Sequence, residues 1–128
     1  YFGFLKNEKI IEQLKKTHIF SHPSIWPETS CIAAIESMAA GCEVVTTNLG
    51  ALKETCSPFG KIIKFEKNPE DLEIKYSEAL LDSIKNFWSD ETQKKLKLQR
   101  ETINSTYSWD ARSIEWKKFF DKARKLKV

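Results

Sequence analysis

Long apolar stretches are missing from this chain. No uninterrupted hydrophobic run approaches the ~20 residues that a membrane-crossing helix needs, and the opening Tyr1-Phe2-Gly3-Phe4-Leu5-Lys6 lacks the charged-then-apolar order of a secretory signal. A cytoplasmic location is expected. Cysteine is sparse: Cys31, Cys42 and Cys56 are an odd number, with no Cys-x-x-Cys pair and no paired histidines nearby. That pattern indicates neither a disulfide framework nor a metal site, and leaves reduced, mostly buried thiols as the expectation. There are two histidines, His18 and His22, and neither has a Ser or Cys nucleophile and an orienting acid arranged around it, so no hydrolase triad is expected. They read instead as capping or hydrogen-bonding residues flanking a strand. A large excess of charge of one sign is also lacking. The 21 basic and 18 acidic side chains leave a formal +3, gathered mostly in the last dozen residues, so nucleic acid is not the expected partner. Internal repeats and low-complexity segments are absent.

What is present fits one α/β domain: 128 residues, 41% hydrophobic, 30% charged and 12% aromatic. Residues 6–16 carry Ile10, Ile11 and Leu14 at helical spacing, with Asn7 as the expected N-cap. Residues 18–22 read as a short buried strand that meets Pro23. Pro23, Pro27, Thr29 and Ser30 make residues 23–30 a rigid loop ending in an N-cap, and the Ala-rich residues 31–40 form a helix stopped at Gly41. Residues 43–47 are β-branched and form a second strand, followed by a turn at Asn48-Leu49-Gly50 and a short helix over 51–55. A third strand is expected over 61–65. Asn68-Pro69-Glu70 then opens a helix with Leu72, Tyr76, Leu80, Leu81 and Ile84 on its inner face. Ser89 caps a helix to about Ser105, and Ser108 caps a last one, so that helices occupy 90–128.

Alternation of helix and strand implies a Rossmann-like parallel sheet with flanking helices, whose ligands bind beyond the carboxyl ends of the strands. The loops after His22, Thr47 and Phe65 gather there. Glu28 and Glu36 stand eight residues apart across a helix start. Helical side chains tilt toward the amino terminus, so Glu36 is expected to lean toward the loop of Glu28 and to face one cleft with it. The free amides of Ser30, Cys31 and Ile32, with the helix dipole behind them, suit phosphate oxygens. Two carboxylates beside such a site suit hydroxyl groups on either side of a pyrophosphate, a ribose diol at one end and a sugar at the other. Trp26 reads as a loop anchor, with sugar stacking as the second reading.

The run His22-Pro23-Ser24-Ile25-Trp26-Pro27-Glu28, then Glu36-Ser37-Met38-Ala39-Ala40-Gly41, Val44-Val45 and Gly50-Ala51-Leu52-Lys53-Glu54, resembles the carboxyl-terminal, donor-binding domain of a GT-B glycosyltransferase of family 4, the glycosyl transferases group 1. The likeness runs from Phe2-Gly3 to Trp109-Asp110, with Cys31 where that family often has glycine. It implies transfer of a sugar from a nucleotide-diphosphate sugar to an acceptor with retention of configuration, without cofactor. It implies that Glu28 contacts the transferred sugar and Glu36 the ribose, and that the backbone of Ser30, Cys31 and Ile32, beside Thr29, holds the diphosphate. Gly3, Phe4 and Leu5 would line the nucleobase pocket. No Asp-x-Asp occurs, so the metal-dependent mode of the other large glycosyltransferase fold is not indicated. A non-catalytic nucleotide-sugar binding module, or an epimerase on the same fold, is the alternative.

The chain opens on an apolar segment without Met, which reads as a fragment of a larger enzyme whose amino-terminal domain holds the acceptor (glycan, lipid or small molecule). Such a fragment would be inactive alone. Lys117, Lys118, Lys122, Lys125 and Lys127 read as a solvated face, with contact to anionic lipid at the cytoplasmic membrane face as the minority reading. Ile114, Trp116, Phe119, Phe120 and Ala123 give the final helix a broad apolar surface. It is expected to fold back on the sheet, leaving a patch around Phe119 and Phe120 prone to self-association.

Overall fold

A computed structural model describes residues 1–126; Lys127, the last of the expected basic face, lies outside them. In chain order the elements are α1 (Asn7–Leu14), β1 (Ile19–His22), α2 (Ile32–Ala40), β2 (Glu43–Thr47), α3 (Leu52–Cys56), β3 (Lys61–Ile63), α4 (Pro69–Asn86), α5 (Asp90–Thr106) and α6 (Trp109–Lys125). The three strands make one parallel sheet in the order β1-β2-β3, with Phe20 opposite Val44 and Thr46 opposite Ile62. This is the expected Rossmann-like α/β arrangement.

Every residue of β2 is buried, because the two faces of a central parallel strand are both covered by helices. Successive side chains alternate across it. Val44 points into a core built with Ala34, Met38, Leu52, Cys56, Phe59 and Ile103, whereas Val45 points the other way, onto Ile63 and Tyr76. Helices α2, α3 and α5 thus share one face of the sheet and α4 covers the other.

Helix ends follow local chemistry where a side chain is at hand. Asn68 accepts from the Glu70 amide (3.1 Å), Ser89 from Thr92 (3.2 Å) and Ser108 from Ala111 (3.2 Å). Gly41 ends α2 in the left-handed conformation at φ +99°. The C-terminal carbonyls of α2 are then closed by α5. The fully buried Gln99 donates through Nε2 to the carbonyls of Met38 (3.2 Å) and Cys42 (2.8 Å), and Asn104 donates to that of Ala39 (3.0 Å).

Several expectations are corrected. Lys6, not Asn7, is the N-cap of α1, and it makes no side-chain capping bond. Helix α2 begins at Ile32, with Cys31 as an N-cap that likewise lacks a capping side chain. Strand β3 ends at Ile63 rather than at residue 65, because Asn48 draws the chain aside: its amide donates to the Ile63 carbonyl (2.9 Å) and its Oδ1 accepts from the Phe65 amide (2.8 Å). On α4, Leu72 and Tyr76 are buried and Leu80 is half-buried as expected, but Leu81 and Ile84 are exposed, and Ser83 and Phe87 take the inner face. The Tyr76 hydroxyl fixes that rotation by donating to the Val45 carbonyl (2.7 Å), with Ser21 Oγ 3.0 Å away.

Helix α6 does not fold back on the sheet. None of its residues is buried, and Trp116, Phe119 and Phe120 remain more than half exposed. They pack on one another instead, with Trp116 stacked on Phe120 at 5.6 Å and Phe119 edge-on to both. Its packing partner is α5, where the Arg112 guanidinium lies 4.8 Å from the Tyr107 ring centroid. Folding onto the sheet would need a free sheet face near α5, and α2, α3 and α5 already fill that face.

Candidate active site

Residues 23–31 connect β1 to α2 at the carboxyl ends of the strands. Two prolines make this loop stiff, and hydroxyl groups from the next elements tie it down. Thr46 Oγ1 donates to the His22 carbonyl (2.9 Å), Thr47 Oγ1 to that of Ser24 (2.6 Å) and Thr55 Oγ1 to that of Ser30 (2.9 Å). Inside the loop, the Ser24 hydroxyl donates to the Trp26 carbonyl (2.9 Å). The turn after β2 closes the frame: the Ala51 amide donates to the Glu28 carbonyl (2.7 Å). Gly50 has φ +55°, and a Cβ there would collide with the backbone of Pro27 and Glu28, so only glycine lets the turn lie against the loop.

This frame presents Glu28, which is partly exposed. Its Oε1 stands 3.4 Å from Nε2 of His22. The His22 ring is stacked on Phe20 at 5.8 Å between centroids and 16° between planes. Cys31 joins them, one ligating atom from each of the three residues lying within 4.8 Å of the others. Cys31 is the single non-glycine residue with positive φ (57°) among the described residues. A left-handed N-cap accounts for glycine being common at this position in the family that the sequence resembles; a side chain there is strained by about 1–2 kcal/mol.

Next to Glu28, the amides of Ser30, Cys31 and Ile32 donate to no acceptor among the described residues. Thr29, Ser30 and Ile32 are exposed. Unpaired amides at the positive end of α2 offer oxygen anions a ready set of donors.

Glu36 sits elsewhere on α2. It is half-buried and borders a groove of about 240 Å³ with Ile11 and Leu14 of α1, the Lys15 that follows them, and Asn104 of α5. A second, of about 160 Å³, lies between Glu36, Ile103, Tyr107 and Ser108. Neither of these two grooves has Glu28 among its lining residues. Glu36 thus borders α1, while Cys31 and the loop lie at the head of α2. Gly3, Phe4 and Leu5 precede α1. Gly3 is left-handed at φ +67°, Phe4 is fully exposed and Leu5 half-buried, and none of the three borders the Glu36 grooves. A roomier apolar cavity of about 620 Å³ opens on the α4 side, between Pro23, Ile25, Phe65, Leu72 and Tyr76. Its lining includes neither Glu28 nor Glu36 nor the free amides, so its volume does not make it the site of phosphate chemistry.

The model of the glycosyl transferases group 1 matches residues 1–102, from the segment before α1 into α5. The chain belongs to that family. Comparison with curated proteins and with solved structures gives no match. Within this group 1 glycosyltransferase, the matched stretch holds Gly3 to Leu5, the loop from His22 to Cys31 and Glu36, and leaves α6 outside. No helix among the described residues is long and apolar enough to cross a membrane.

Sequence reasoning missed the residues that position Glu28. Thr46, Thr47 and Thr55 read as β-branched strand and short-helix formers, and Gly50 as an ordinary turn. A signal was available: a threonine in a strand that is otherwise buried must bond its hydroxyl to something, and a neighbouring loop carbonyl is the nearest acceptor.

Proposed function

We propose that this glycosyltransferase chain forms the donor-binding part of a retaining GT-B enzyme of family 4 that uses a nucleotide-diphosphate sugar. Residues 1–128 act as the carboxyl-terminal domain, completed by an amino-terminal domain that carries the acceptor. The observation that supports this reading best is the pinned loop, which sets the Glu28 carboxylate beside the unpaired amides at the head of α2. The amides of Ser30, Cys31 and Ile32, with Thr29 beside them, bind the diphosphate. As the bond between the anomeric carbon and the diphosphate oxygen breaks, charge gathers on the leaving group, and fixed amides with a helix dipole stabilise it more in the transition state than in the ground state. Glu28 accepts from hydroxyls of the transferred sugar. Glu36, on the α1 side of the same helix, takes the ribose hydroxyls, and the nucleobase lies toward Gly3, Phe4 and Leu5.

Saturation-transfer NMR with a panel of nucleotide sugars tests the proposal and identifies base and sugar. Calorimetry then separates the carboxylates: Glu36→Ala weakens both the free nucleoside diphosphate and its sugar conjugate, whereas Glu28→Ala weakens mainly the conjugate. Equal affinities for the wild type and both variants would refute the assignment.

A further inference from the structure

His22, Glu28 and Cys31 combine three donor atoms of different kinds at the head of α2, all within 4.8 Å of one another. His22 Nε2 is buried and has no hydrogen-bond partner, although Glu28 Oε1 faces it at 3.4 Å. A buried ring nitrogen without a partner is unfavourable unless something else satisfies it. In a tetrahedral zinc site, bonds of about 2.0–2.3 Å hold neighbouring ligand atoms about 3.3–3.8 Å apart. The His22 to Glu28 distance already has that value, and the Cys31 thiol completes the set with a shift of about 1.5 Å at most.

The chemistry selects the ion. Imidazole nitrogen, carboxylate oxygen and thiolate sulfur suit zinc and its borderline neighbours, not magnesium or calcium. One carboxylate and one thiolate balance a divalent charge, which offsets the repulsion a cation would otherwise meet at the positive end of a helix. Phe20 stacked on His22 holds the imidazole plane. Cys31 stays in a left-handed conformation that glycine would adopt without strain, and such outliers gather at functional positions. Residue spacings of six and three between the ligands match no familiar zinc pattern, which is why only the fold reveals them together.

We propose that His22, Glu28 and Cys31 form a three-ligand zinc site with its fourth position open, and that zinc there withdraws Glu28 from the donor sugar and so opposes donor binding. The first half stands on geometry alone; the second rests on the donor-site reading above.

Titration of the chain with cobalt(II) as a probe is expected to give a one-to-one complex with a thiolate-to-cobalt charge-transfer band and the visible bands of tetrahedral geometry. Zinc displaces the cobalt and an excess of magnesium does not. Cys31→Ser abolishes the charge-transfer band, and His22→Gln weakens zinc binding about tenfold or more. Cys31→Gly, which suits the left-handed backbone, replaces the serine variant should that one fail to fold. Absence of a thiolate band in the wild type, or its persistence without Cys31, overturns the site. Nucleotide-sugar binding measured with and without zinc tests the second half. Zinc that binds and leaves the affinity for nucleotide sugar unchanged overturns the opposition. A chain that binds zinc but no nucleotide sugar at any zinc level overturns the donor reading while leaving the metal site standing.

Discussion

Helices α2 and α6 each carry seven apolar side chains, α2 within nine residues and α6 within seventeen, and they end in opposite states. On α2, Ala34, Ser37 and Met38 are fully enclosed, and α5 closes its C-terminal carbonyls. On α6, with its Trp116, Phe119 and Phe120, no residue is buried. Polar partners add to that difference in apolar density. Helix α2 is held where backbone groups on its end and on its entry loop find partners in Gln99, Asn104 and Thr55; α6 has its N-cap and one cation over an aromatic ring. Apolar surface draws a helix toward a core, but satisfied polar groups decide where it stops.

The contrast can be broken from the core side first. Leu52→Ala, at a side chain with no exposed surface, is expected to lower stability by about 2–5 kcal/mol, read from the midpoint of urea unfolding. Gly50→Ala combines left-handed strain with a collision against Glu28, and about 2–4 kcal/mol is expected. Because that glycine holds the Glu28 loop, any nucleotide-sugar binding falls with it; a variant that keeps both stability and binding would show the turn to be free to move. Gln99→Leu keeps the bulk and leaves the Cys42 carbonyl without its partner, while the Met38 carbonyl keeps the Gly41 amide, so about 1–3 kcal/mol is expected in the same assay.

Alkaline titration sharpens the same contrast more gently. Burial raises Cys42 and Cys56 from 9.0 to about 11, and burial also raises Tyr76. A thiol that resists ionisation in the fold but ionises freely when unfolded supports the fold fully below pH 9, and that support is lost as pH climbs toward 11. Unfolding midpoints at pH 8 and pH 10.5 check the sign, and alkylation of the native chain should reach Cys31 before the two buried thiols. The smallest effect belongs to α6. Trp116→Ala or Phe119→Ala is expected to move stability by no more than about 0.5 kcal/mol, and a loss of 2 kcal/mol would mean that this helix is held more firmly than its exposure implies.

Much of this was legible in the chain itself. Asn68-Pro69, Ser89, Ser108 and Gly41 announce helix ends through bonds made within four residues, and the β-branched run of β2 announces a buried strand. The motif around Glu28 and Glu36 placed the chain among the glycosyltransferases before any coordinates. What stayed hidden depends on partners far along the chain. The rotation of α4 is set by a tyrosine hydroxyl meeting a strand carbonyl 31 residues away. The left-handed Cys31 has no capping side chain to betray it, and the groove that Glu36 shares with Ile11 and Leu14 exists only once α1 lies against α2.

The bonds from Gln99 also order events in time. They join residues 57 and 61 positions apart, whereas β1 and β2 pair across a single short crossover. Closing the longer loop loses more chain entropy before any contact rewards it. The unit from β1 through β2 is therefore expected to assemble first, with the Met38 carbonyl held by the Gly41 amide and the Cys42 carbonyl open to water until α5 docks. Substitutions at Gln99 should accordingly speed unfolding and leave the refolding rate nearly unchanged.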